Sequence, residues 1–305
     1  MLARAVALVR GHPLLTPLLI VYVAVTMLAA IFEFGPSHAL VNLVLVAAYV
    51  ALIHFATEGP PMAVPTVRTL GRSRDIGLAI TVAVLQMAGV VIAWFVIIPH
   101  GVLAAWAADL RGAGVPALIA AKAANAALTV PLLLLPTVVA VVAFRFRPRE
   151  VGLTASFRGL ALGVALAAIA VGLGVGEVAA GINPGLLWQS ASLSVVPATI
   201  TLQSLVNGIP EELTFRGVIF GRLMPWLGRP GNSLAISTMV FGLYHVPSYL
   251  ASGTSLGLAL AIGLFGLLPG LLFGYLFYRT RSIWSGAIWH TSITGVGVMF
   301  IGLTP

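Results

Sequence analysis

An all-α polytopic bundle of transmembrane helices, with about nine spans (eight to ten) around a polar cavity inside the membrane, is the fold that the sequence predicts. Three observations lead there. The chain is 60% hydrophobic and only 8% charged. Its mean hydropathy is +1.08, far outside the soluble globular range. Apolar runs of about 20 residues, enough to cross ~30 Å of hydrocarbon as a helix, follow one another along nearly its whole length.

Taken in order, the spans fall near 13–32, 39–57, 76–98, 124–144, 159–178, 199–222, 232–250, 256–278 and 282–302. The first follows a basic start, as a secretory signal would. It is longer than the apolar core of a signal and other spans follow it, so it reads as an uncleaved helix. Segment 100–123 carries Trp106, Asp109, Arg111 and Lys122, which suits an interfacial helix better than a span. The link Phe144-Arg-Phe-Arg-Pro-Arg-Glu-Val-Gly152 separates two regions. Residues 1–144 form an accessory set of helices with few polar groups at membrane depth. Residues 145–305 form a core that holds nearly all the informative ones. Gly266, Gly270 and Gly274, and Gly217 and Gly221, recur at the four-residue spacing of close helix packing. No internal repeat is present, which counts against an inverted-repeat transporter.

A net charge of +8 could point to nucleic acid, but the arginines are distributed as membrane topology requires. Arg4 and Arg10 precede the first span, Arg68, Arg72 and Arg74 follow the second, and Arg145, Arg147, Arg149 and Arg158 surround the link. Arg222 and Arg229 follow the sixth span, and Arg279 and Arg281 lie between the last two. The intervening loops are poor in basic residues, so the positive-inside rule puts the N-terminus in the cytoplasm and the C-terminus on the far side. The expected partner on these grounds is therefore the lipid bilayer, not nucleic acid. Cysteine is absent, which removes disulfides and thiol nucleophiles.

Against this background the run Gly208-Ile-Pro-Glu-Glu-Leu-Thr-Phe-Arg-Gly217 stands out, because the whole chain has only eight acidic residues. A charge at bilayer depth costs at least ~2.5 kcal/mol. Glu212 and Arg216 are i and i+4 neighbours on a helix, a spacing that permits a salt bridge and spares both from lone burial. Glu211 points about 100° away and is left over. Gln203, Asn207 and Glu211 would form one polar stripe if the helix continued through Gly208 and Pro210. Alternatively, Pro210 opens a new segment whose first turn favours both carboxylates.

His245, in Phe241-Gly-Leu-Tyr-His245, and His290, in Trp289-His290-Thr-Ser-Ile-Thr294, supply candidate partners on two other spans. Counted from the cytoplasmic face at 1.5 Å per residue, Glu211 lies roughly 16 Å deep, His245 roughly 20 Å and His290 roughly 12 Å. These three can meet in a cavity opening to the cytoplasmic half of the membrane. Two chemistries suit them. Glu211 and His245 can hold and deprotonate a water while His290 stabilises an oxyanion. Alternatively Glu211, His245 and His290 ligate a divalent metal, zinc being the obvious candidate, that activates the water. The compact His-Glu-x-x-His zinc motif is absent.

In this order on successive helices, Glu211-Glu212-x-x-x-Arg216, Phe241-x-x-x-His245 and His290 followed four residues later by a polar side chain resemble the CPBP intramembrane proteases. That family includes the CAAX prenyl endopeptidases of the Rce1 type and the bacterial Abi immunity proteins. The resemblance covers roughly 150–302. It implies a helical core with an intramembrane cavity and endopeptidase activity on membrane-associated or lipidated peptides. By that resemblance Glu211 would be the general base acting with His245, Glu212 and Arg216 would be its motif partners, and His290 would help form the oxyanion hole. Phe241 would be a packing residue, and metal dependence is unsettled for the family. Where it usually has Asn or Asp, this chain has Thr294, a shorter side chain that in a helix often bonds back to the carbonyl at i−4. Ser292 or Gln203 could assist. Two alternatives accompany the protease reading: a catalytically silent relative acting as a membrane interaction or immunity protein, and a proton-coupled transporter using Glu211 and the histidines.

Overall fold

A computed structural model of the chain describes residues 13–29, 36–57, 68–179, 196–265 and 267–296. Arg4, Arg10, His12, Gly266 and the last residues of the ninth expected span lie outside them. Among the described residues there are eleven helices and no strand. They are α1 (Leu15–Ala29), α2 (Pro36–Ala56), α3 (Arg72–His100), α4 (Val102–Gly112), α5 (Ala117–Ala143), α6 (Phe157–Ala179), α7 (196–223), α8 (Pro230–Ala251), α9 (Leu256–Phe265), α10 (Leu267–Thr280) and α11 (283–296). By length and composition α3, α5 and α8 are each long and apolar enough to cross a membrane. Val46–Ala56 and Phe157–Leu173 are shorter apolar stretches. The chain thus has the helices of an integral membrane protein, while the count of nine spans is not reached on these criteria. Within the run 256–278 the described residues on both sides of position 266 are helical.

Proline shapes the helices around the centre of the bundle. A helical proline cannot donate to the carbonyl four residues back. Pro99, Pro136 and Pro210 would leave the carbonyls of Phe95, Leu132 and Val206 in that position. Those three residues lie within π-helical turns at Ala93–Ile97, Val130–Leu134 and Ser204–Gly208. A bond from i to i+5 lets each carbonyl reach past the proline to the next residue, so the helix continues at the expense of a local bulge.

α3, α5 and α7 are held together at one level by Gln86, which is buried. Its amide donates to the Leu133 carbonyl, to Thr137 Oγ1 at 3.1 Å and to Thr214 Oγ1 at 3.4 Å, and the two threonine hydroxyls are 2.7 Å apart. Around this layer a single apolar cluster joins Leu78 and Val82 of α3, Leu133 of α5, Phe215 and Val218 of α7 and Phe241 of α8. The spaced glycines sit where helices approach closely. A Cβ on Gly217 would lie 2.6 Å from the Val151 carbonyl, one on Gly270 would lie 3.0 Å from Thr238, and one on Gly274 would meet Leu234. At Gly221 the nearest atom is 3.5 Å away, so that glycine marks no tight contact.

One end of the bundle gathers the arginine-rich segments. Arg222 of α7 is buried there, 3.7 Å from Asp75 of α3. It donates to the carbonyls of Arg68 and Glu150, and its guanidinium lies 4.2 Å from the centre of the Phe146 ring. Asp75 also accepts from Trp226 Nε1 at 2.9 Å, and Glu150 accepts from the backbone N–H groups of Arg68 and Arg147. Arg222 is thus an internal cross-link as well as a basic residue after a span. A loop arginine and a buried one read alike in sequence.

Candidate active site

The two glutamates lie midway along α7, where the turn that bypasses Pro210 meets a second π-helical stretch, Glu212–Phe220. Both are buried, Glu212 at 0% exposure and Glu211 at 3%. Glu212 Oε1 is 3.1 Å from Arg216 Nη1 and 3.2 Å from His290 Nδ1. Arg216 is buried as well. It donates to the Gly270 carbonyl of α10 at 3.3 Å and lies 4.4 Å from the centre of the Phe241 ring. Gly286 of α11 makes room for this arrangement, since a Cβ there would sit 2.6 Å from Glu212 Oε2. Gly208 of α7 does the same one level away, against Ala287 and Thr291 of α11.

His290 is placed between the two carboxylates. Its Nε2 is 3.6 Å from Glu211 Oε2, too long for a hydrogen bond, and its ring stacks on Phe273 with centroids 4.6 Å apart. Glu211 is therefore held differently from its neighbour. Its Oε1 accepts from Asn207 Nδ2 at 3.1 Å, Asn207 Oδ1 accepts from Gln203 Nε2 at 2.8 Å, and Gln203 Oε1 accepts from Lys122 Nζ at 2.7 Å. The stripe Gln203, Asn207, Glu211 survives Gly208 and Pro210 as a row of hydrogen-bonded side chains. Lys122 at its head belongs to α5, a membrane-length helix, and not to the interfacial segment where the sequence reading put it. Only α4 fits that description. In sequence Lys122 groups with the charged residues Asp109 and Arg111, whereas its partner lies 81 residues away.

Glu211 Oε2 is buried without a hydrogen-bond partner. Glu211 is also one of the residues that border a cavity of about 490 Å³, a size typical of small-ligand sites, whose walls include Asn125, Asn207, Tyr244, His245 and Ser248. His245 Nδ1 is 2.9 Å from the Phe241 carbonyl, which can only accept, so Nδ1 donates in that contact and Nε2 is the ring nitrogen not engaged by it. Phe241 packs edge-on against the His245 ring at 4.8 Å and spans the distance to Arg216, so it links the two motifs. His290 is not among the residues lining the cavity. It sits behind Glu211.

Thr294 Oγ1 donates to the His290 carbonyl at 2.9 Å, the back-bond expected of a helical threonine. Ser292 bonds back to Trp289 in the same way, and Gln203 is engaged in the polar row. None of the three borders the cavity. Asn125 does, a residue that sequence reasoning missed. Its Oδ1 accepts from Thr129 at 2.9 Å, so its amide N–H groups are not used in that bond. Among the described residues no three His, Asp or Glu side chains are placed to hold a metal ion. Glu211, His245 and His290 do not form such a group.

Residues 193–296 match the model of the Rce1-like family, described as type II CAAX prenyl endopeptidase Rce1-like. The matched segment runs from just before α7 to the end of α11 and contains Glu211, Glu212, Arg216, His245, His290 and Thr294. No curated protein and no solved structure matches the chain.

Proposed function

We propose that the chain is an intramembrane endopeptidase in which Glu211 and His245 activate a water molecule in the central cavity. One observation carries the reading: Glu211, a buried carboxylate with one oxygen that lacks a hydrogen-bond partner, is among the residues bordering a cavity shared with the His245 imidazole. An unpartnered buried carboxylate oxygen is expensive to maintain, so a polar occupant belongs there. The match to a protease family over the same helices supports the same conclusion.

A water between Glu211 and His245 gives one proton to Glu211 Oε2 as its oxygen adds to the peptide carbonyl carbon, while its other hydrogen bonds to His245 Nε2. The carbonyl π electrons move to oxygen, and the oxyanion accepts from the Asn125 amide. Collapse re-forms the C=O bond and breaks the C–N bond. Glu211 passes its proton to the leaving nitrogen as that bond breaks, giving a carboxyl end and an amine. Asn207 fixes the second oxygen of Glu211. His290 and Arg216 hold Glu212 beside it, so these three residues position the base and do not touch the substrate.

Glu211→Gln and His245→Ala variants, reconstituted in liposomes and given a quenched fluorogenic apolar peptide, test the assignment. Cleavage should be lost in both, and unchanged cleavage in both would sink it. The back-bonded Thr294 hydroxyl favours a second reading, a silent relative that binds membrane partners. In that case even the unaltered chain would bind the peptide without cutting it. A transporter is disfavoured because beyond Glu211 the next charged pair, Glu212 and Arg216, is closed in by Phe241, Phe273 and the Gly270 carbonyl.

A further inference from the structure

The direction in which the cavity opens assigns the substrate to one side of the membrane. α3, α6, α8 and α11 all begin at the arginine-rich end of the bundle, next to Arg72, Arg158, Arg229 and Arg281. α5 and α7 run the other way and end there. The contacts of Arg222 and Trp226 with Asp75 bring these helix ends together in space. At the opposite end lie the start of α5, the start of α7 and the last turns of α3 and α8, with the Lys122–Gln203 bond joining two of them. Among the described residues, Arg111 and Lys122 are the arginine and lysine of that end.

From Glu211 the cavity wall passes His245 and Ser248 and reaches Ser252, the exposed residue that ends α8, together with Ile98 at the end of α3 and Leu103 in the first turn of α4. Every one of these rim positions belongs to the arginine-poor end. α4, which contributes to the rim, carries Trp106, exposed to 43%, with Asp109 and Arg111 after it. This is the composition of a helix lying at a membrane–water interface. In the turns of α7 that run from Glu211 toward the arginine-rich end, Phe215, Val218, Ile219 and Phe220 are each at most 1% exposed, and none of them borders the cavity.

Building on the protease reading, we infer that the substrate reaches Glu211 from the face opposite the arginine clusters, which the positive-inside rule makes the extracytoplasmic face. The substrate class is then an apolar membrane peptide whose cleaved bond lies toward the outer half of the bilayer. A prenylated C-terminus presented from the cytoplasm would arrive at the closed end. This reverses the cytoplasmic opening expected from helix depths alone. Those depths place Glu211 near mid-membrane, where either face is about equally distant, so the packing on each side decides.

The cysteine-free chain makes the test direct. Single-cysteine variants Ser252→Cys and Leu103→Cys at the rim, and Arg149→Cys at the other end, are treated with a membrane-impermeant maleimide in right-side-out and in inverted membrane vesicles. Both rim variants should label in right-side-out vesicles only and Arg149→Cys in inverted ones only. Rim cysteines that label only in inverted vesicles, or on the same side as Arg149→Cys, overturn the inference; having two rim variants guards against one that fails to insert. Labelling does not depend on turnover, so it stands or falls separately from the protease reading. In parallel, the quenched apolar peptide should be cut when added to right-side-out vesicles and not to inverted ones. The opposite preference overturns the inference. Absence of cleavage from either side, with rim labelling as expected, overturns the protease reading alone.

Discussion

Replacing Arg216 with Met removes the positive partner of Glu212 and keeps the side-chain volume nearly constant. At 3.1 Å and an effective dielectric of about 20, the attraction between the two charges is about 5 kcal/mol. Desolvation of both charges offsets much of that in the intact pair, but a carboxylate left behind at 0% exposure recovers none of its hydration. The expected loss of stability is about 3–5 kcal/mol, the range for breaking one side of a buried ion pair. The converse change, Glu212→Gln, should be milder. Arg216 keeps the Gly270 carbonyl and the ring faces of Phe241 and Phe273, and a desolvated cation over a ring is worth ~2 kcal/mol, which brings the loss to about 1–3 kcal/mol. The double variant leaves no charge unpaired, so it should be more stable than the sum of the single losses predicts, by at least ~2 kcal/mol. Unfolding in mixed micelles with increasing sodium dodecyl sulfate, followed by far-ultraviolet circular dichroism, gives all three values. An Arg216→Met loss below ~1 kcal/mol, or a coupling within the ~0.5 kcal/mol expected of independent sites, would refute the pairing as the reason this charge is tolerated.

Asn125→Leu should lower kcat by about 10²-fold with little change in KM, because an oxyanion donor acts in the transition state and not on the bound substrate. An equal loss confined to KM would remove Asn125 from that role. Thr294→Asn should leave kcat within about threefold of the parent, since position 294 does not border the cavity; a gain of ~10²-fold would place the missing donor there instead. Gly286→Ala drives a methyl group into the space occupied by Glu212 Oε2 and should destabilise the fold by about 1–3 kcal/mol, read as an earlier midpoint in the same micelle titration.

Much of the site could be read along one helix. Glu212 with Arg216, and Gln203 with Asn207 and Glu211, are i, i+4 relations, so a single stretch of sequence contains them. The sequence could not show whether the stripe survived Pro210, because that depends on a helix adopting i to i+5 bonds and on the neighbouring helices allowing the bulge. Contacts across the bundle were less accessible still. Lys122 meets Gln203, Arg216 meets Gly270 and His290 meets Glu212 only after several helices have packed, and no local pattern encodes the pairing. The two histidines illustrate the difference. Both were identifiable as apolar-span histidines, yet one borders the cavity and the other lies behind the carboxylate, a distinction set by helix rotation, which single-helix arithmetic at 1.5 Å per residue cannot supply.

Gln86 gives the cavity a fixed floor and leaves its rim adjustable. With one amide joined to α3, α5 and α7 at the same level, those three helices resist separation just where the carboxylate must stay in place. The rim, by contrast, is made of the short α4 and the exposed end of α8. Variation among related chains in what they admit can then accumulate at the rim, in residues such as Leu103 and Ser252, while the well beneath keeps its shape. Selectivity and chemistry become separately heritable properties of one bundle.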